Sequence, residues 1–128
     1  EDRIPVVGSV SLQSSDEVLF YPEDEKVMTD IPKGVDEAKG RAVLLEGPTI
    51  NPLVKGGAIL YYNEVSQGVG KECINQPCIV EAEDGRVMVK MVARTNKPGV
   101  YNVHSLINNT IESMQLKSAS KIVATKYE

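Results

Sequence analysis

The chain has 128 residues, 41% of them hydrophobic and 25% charged, with a formal net charge of -4. That length suits one domain, spanning 1–128, with a core large enough to need no staples. The composition excludes a disordered chain, a coiled coil and a disulfide-dense miniprotein.

Period-two alternation dominates the chain. Residues 4–11 read as a first strand, and 17–21, set between Ser15 and Pro22, as a second. Residues 35–41 hold at most one short helical turn. Further strands are expected over 42–46, 57–63, 78–82, 86–94, 100–104 and 121–127. The turn signals Lys33-Gly34, Glu46-Gly47-Pro48, Lys55-Gly56-Gly57, Asp84-Gly85, Lys97-Pro98-Gly99 and Asn108-Asn109 separate them. Asp84-Gly85 between two apolar runs predicts a tight hairpin, and Pro77, which donates no hydrogen bond to a ladder, marks where its first strand can begin. The fold class is therefore mainly β, a barrel-like domain of short strands and hairpins whose sheets close on themselves.

Charge is uneven. Residues 1–46 carry 11 acids against 5 bases, whereas 47–128 carry 7 against 9. A polyanion binder needs a concentrated basic footprint, and one Phe with no Trp offers few stacking platforms. Direct nucleic-acid binding is thus not expected. No run nears the roughly 18 apolar residues of a membrane span, and nothing resembles a signal peptide, so no membrane association and a cytoplasmic location are expected. Cys73 and Cys78 flank Pro77 with His104 as the only histidine, too few ligands for zinc. No metal or other cofactor is expected, and the cysteines read as free thiols.

The run Val87-Met88-Val89-Lys90-Met91-Val92 carries the chemical interest. Alternate side chains share a face, so Lys90 lies with Met88 and Val92 while Val87, Val89 and Met91 line the other side. Both faces are apolar, and Lys90 enters an apolar environment. There an ammonium either pairs with a carboxylate, snorkels to the sheet edge, or loses its proton and becomes a general base for a hydroxyl nucleophile.

The segment Val43-Leu44-Leu45-Glu46-Gly47-Pro48-Thr49-Ile50-Asn51-Pro52-Leu53-Val54-Lys55-Gly56-Gly57-Ala58-Ile59-Leu60-Tyr61 is similar to the core motif of LexA-like peptidase domains, the C-terminal halves of LexA and lambda-type phage repressors. The family pattern runs from an apolar strand through Gly-Asp-Ser-Met-x-Pro to Asp-Gly-Asp and a second apolar strand. Glu83-Asp84-Gly85-Arg86-Val87-Met88-Val89-Lys90 resembles the hairpin and strand that supply the family's lysine base. Ile4-Pro5-Val6-Val7-Gly8-Ser9-Val10 resembles its opening strand, Tyr101-Asn102-Val103-His104-Ser105 the strand leading into Ser-x-Asn, and Ile122-Val123-Ala124 its terminal strand. The resemblance implies a β-clip fold and a Thr49–Lys90 pair in the place of the catalytic dyad.

The departures from that pattern matter as much. Thr49 stands where the family has its serine, Pro48 where it has aspartate, and Ile50 where it has methionine. Threonine's methyl stiffens χ1, and Pro48, beside Gly47 in the expected oxyanion turn, supplies no N–H donor. The stretch 11–15 has neither the Ala nor the Gly of the family's scissile bond. The resemblance therefore implies a vestigial dyad in the oligomerisation and regulatory domain of a repressor, as in the SOS-response and phage repressors. Because the chain opens on Glu1, not Met, a fragment is expected, with a helix-turn-helix half upstream as its only route to DNA. The resemblance further implies a homodimer, with Ile122, Val123 and Ala124 as interface candidates, and an antirepressor or recombinase filament as a further partner. Two other readings remain open: a self-processing peptidase using Thr49 and Lys90, and a small β-barrel binding module with a lysine-lined pocket.

Overall fold

A computed structural model describes residues 3–13, 15–25, 27–47 and 56–127. Among the described residues nine strands follow one another: β1 (Arg3–Val10), β2 (Val18–Phe20), β3 (Val27–Asp30), β4 (Gly40–Leu45), β5 (Ile59–Asn63), β6 (Pro77–Ala82), β7 (Val87–Arg94), β8 (Val100–His104) and β9 (Glu112–Lys126). The fold is mainly β, with helical structure among the described residues confined to single 3-10 turns at Glu23–Glu25 and Lys71–Cys73. No helix in them is long and apolar enough to cross a membrane.

β1 is the hub of one half. It takes β2 along Gly8–Val10 and β3 along Arg3–Val6, both antiparallel, and β4 in parallel on its other side. β4 continues antiparallel to β5, and β5 to the end of β9. In the other half β9, β6, β7 and β8 pair in turn, and β8 returns to β9, so that four strands close a ring. The 15-residue β9 belongs to both halves.

The predicted hairpin forms. Pro77 is the first residue of β6, Ala82 N–H donates to the Arg86 carbonyl at 2.9 Å, and Gly85, at φ 94°, supplies the left-handed residue the turn requires. Over 35–39 the chain makes one turn, closed by Gly40 N–H donating to the Asp36 carbonyl at 2.7 Å, and β4 begins at Gly40. Asp36 Oδ1 accepts from the N–H groups of Ala38 and Lys39, an Asx arrangement that competes with helical bonding. These backbone donors hold the exposed Asp36 carboxyl below its ordinary range.

One core cluster joins Val7, Val10 and Leu12 to Leu45, Ala58, Tyr62, Ile79 and Val89. A second lies within the ring, around Val80, Met88, Val92 and Val103. β7 faces both, as expected of a strand with two apolar faces. Burial holds the Tyr62 phenol well above its ordinary range, with Glu64 adding to the effect and Arg41 opposing it. The folded state therefore keeps a proton that the unfolded chain releases above about pH 10, so this contribution to stability is lost as pH rises through that region. Replacing Tyr62 with Phe is expected to reduce the alkaline loss by about 1.4 kcal/mol per unit above pH 10, read from urea midpoints. An unaltered alkaline slope would remove Tyr62 as its source.

Candidate functional site

The site grows from the mismatch in length between β7 and its partners. β6 pairs with β7 over Val87–Met91, and β8 pairs with it only over Met91–Arg94. One edge of β7 is therefore left over near Met88–Lys90, and the loop after β1 takes it. Glu17 bridges Met88 antiparallel, and Val89 N–H donates to the Asp16 carbonyl at 2.9 Å. Ser11 shapes this loop through its carbonyl, which accepts from the N–H groups of Ser15 and Asp16 at 3.3 Å each.

Asp16 has φ 60°, a left-handed conformation that aspartate tolerates better than most residues. This bend turns its carboxylate inward. Lys90 Nζ donates to Asp16 Oδ2 at 3.0 Å, and Ser105 Oγ reaches Asp16 Oδ1 at 3.5 Å. Ser105 Oγ in turn accepts from Ile107 N–H at 3.1 Å. The lysine and aspartate side chains keep only 13% and 9% of their exposure. In this pair the lysine ammonium donates to a carboxylate and offers no lone pair to a hydroxyl. Of the fates open to Lys90 in the sequence, pairing with a carboxylate is the one observed.

The other expected site residues divide. Thr49 and Pro48 lie outside the described residues. Gly47 is described: it is exposed, has φ 103°, and a Cβ placed there would lie 3.7 Å from Ser11 Oγ. Glu46 N–H donates to the Val10 carbonyl at 2.8 Å, and Leu45 N–H donates to the Ala58 carbonyl at 2.8 Å. Glu46 and Gly47 thus stand beside the segment after β1 that delivers Asp16. No family model and no curated protein matches the chain. The site therefore rests on its own geometry.

Ile122, Val123 and Ala124 sit in the last part of β9, paired to β5, with Val123 as the bulged residue between Ile122↔Tyr62 and Ala124↔Tyr61. Ile122 and Ala124 pack partly against core clusters, and Val123 is exposed. The ladder between β9 and β6 ends at Lys121. Among the described residues, the second edge of residues 122–126 thus has no strand partner. Cys73 and Cys78 are free, buried thiols. The hydrogen bond to Cys73, together with burial, pushes the Cys78 thiol up.

Sequence reasoning missed Asp16 and Ser105. Asp16 sits in a polar stretch where an acid reads as solvated, and 74 residues separate it from Lys90. Its one available signal was the demand of a buried lysine for a carboxylate. Ser105 follows β8 just past the His104↔Met91 pair, which sets it across from Lys90.

Proposed function

We propose that this chain is a cytoplasmic oligomerisation and regulatory domain of a LexA-like or phage-type transcriptional repressor that does not cut itself. The observation that carries the reading is the buried Lys90–Asp16 pair. A lysine base must be neutral to take the proton of a hydroxyl. Here the loop in the position of the expected cleavage segment brings a carboxylate to that lysine instead of a scissile bond. With no Ala or Gly over 11–15 to offer the site, the loop acts as a permanent plug.

Pairing of subunits would then be the domain's work. Two copies joined about a twofold axis place two upstream DNA-binding heads on a palindromic operator, raising the effective concentration of the second head at its half-site. The unpaired edge of residues 122–126 supports this reading, because open edges pair. The antirepressor or recombinase filament belongs to the same proposal.

Incubation at alkaline pH, which favours neutral lysine, tests the reading when followed by sedimentation. One undigested species sedimenting as a dimer is the expected outcome. Two stable fragments that disappear on Thr49→Ala would instead establish the self-processing peptidase, and a strictly monomeric species at high concentration would remove the pairing role.

A further inference from the structure

The rim formed by β2 and β3 stands apart from the rest of the surface. The two strands lie end to end along one edge of β1, and among the described residues neither pairs with any strand beyond it. Four of the seven large apolar residues that the described surface exposes are here: Leu19 at 66%, Phe20 at 56%, Val27 at 63% and Met28 at 47%. Leu19 and Phe20 are neighbours in the chain, as are Val27 and Met28, so each couple points to opposite faces of the sheet. Apolar side chains thus flank a row of unpaired backbone donors and acceptors on both sides.

The charge around this rim is mostly acidic, with Arg3 of β1 paired to Asp30. Residues 16–30 carry Asp16, Glu17, Glu23, Asp24, Glu25 and Asp30 against the single base Lys26. Glu23, Asp24 and Glu25 are exposed on the 3-10 turn that links β2 to β3. Protective charges on an edge strand normally stand on the strand itself. Here three exposed acids, Glu23, Asp24 and Glu25, lie between the two apolar couples, while Asp30 at the end of β3 is paired to Arg3 at 3.8 Å.

We infer that this rim docks an extended segment of a partner protein in which lysine or arginine alternates with apolar residues. Such a segment adds a strand along β2 and β3. Its backbone meets the unpaired edge, its apolar side chains cover Leu19, Phe20, Val27 and Met28, and its cations face the acidic turn. Phe20 also walls a cleft of about 340 Å3 with Tyr62, Glu64, Glu81, Val87 and Ser118, room for one side chain of the segment. Glu64 and Glu81 already hold Arg41 at 3.6 Å and Lys117 at 3.7 Å, so the cleft tolerates a cation at its mouth. The acidic sign argues against nucleic acids and anionic lipid surfaces. It also disfavours a second copy of this chain, which would set two acidic turns against each other. This inference stands apart from the role given to Lys90.

The test is fluorescence anisotropy of the whole chain with a labelled peptide of sequence Lys-Val-Lys-Ile-Lys-Val-Lys. The counterpart with Glu in place of Lys serves as comparison. Expected are binding at least about tenfold tighter for the basic peptide, and weakening with added salt. Phe20→Ser with Met28→Ser, both at exposed positions, should weaken binding about tenfold. Glu23→Gln, Asp24→Asn and Glu25→Gln together should weaken it and flatten the salt dependence, and this variant decides alone if the first one misfolds. Equal binding of both peptides, or no response to the charge variant, overturns the inference. Loss of self-association in the apolar variant also overturns it, by assigning the rim to a second copy.

Discussion

Asp16→Ala is expected to destabilise the domain by about 3–5 kcal/mol, the usual cost of removing one partner from a buried ion pair. The substitution leaves the Lys90 ammonium in a site where its side chain is only 13% exposed and deprives Ser105 Oγ of its acceptor. It also removes a side chain that tolerates φ 60°, so part of the loss comes from the backbone. The double variant Asp16→Ala with Lys90→Met separates these effects. It removes both charges, fills the lysine's volume with an apolar side chain, and is expected to recover most of the lost stability. Urea unfolding midpoints at neutral pH measure both. A loss below about 1 kcal/mol for the single variant would place the pair among weak surface interactions and withdraw the plug.

Gly8→Ala should cost about 3 kcal/mol, at the upper end of what overpacking does in well-packed regions. A Cβ at Gly8 would collide with the main-chain oxygen of Leu19, and it would lie 3.0 Å from the Phe20 Cα. Backbone cannot move aside as a flexible side chain does. Relief requires β2 to lift from β1, where Gly8↔Phe20 is a register pair. β2 begins one residue after Glu17, so a displaced β2 pulls on the Asp16–Glu17 bridge to β7. Faster amide exchange at Val89, whose N–H donates to the Asp16 carbonyl, is the accompanying signature. A variant with an unshifted thermal midpoint would show that the two strands separate at little cost.

The fold was legible in the sequence wherever burial and alternation coincide. β8 matches its expected range, β6 and β7 each fall within one residue of theirs, and the Asp84-Gly85 turn lies where its chemistry requires. β3 was missed because Val27 and Met28 are both exposed, so the strand shows no buried face to alternate against. The first nine residues of β9 were missed for the opposite reason. Ser118 and Ser120 are buried there as small polar residues beside Leu116 and Ala119, and serine on a core face erases the apolar signal. For the site, two apolar faces on one strand were enough to mark Lys90 as out of place. Its partner arrives through a loop closed across 74 residues, a contact no local pattern encodes. The sequence reading had sought a hydroxyl for Lys90 at Thr49, outside the described residues, whereas the observed partner is a carboxylate.

The shared strand β9 has a bearing on how the molecule breaks. Its early residues close the ring on β8, its middle lies against β6 and its end lies against β5. A single span of main chain is thus a stave of the barrel and a rib of the open sheet at once. Neither half has a complete set of strands without it, so melting of one should drag the other along in one cooperative step, and a chain truncated before residue 112 should yield no surviving subdomain.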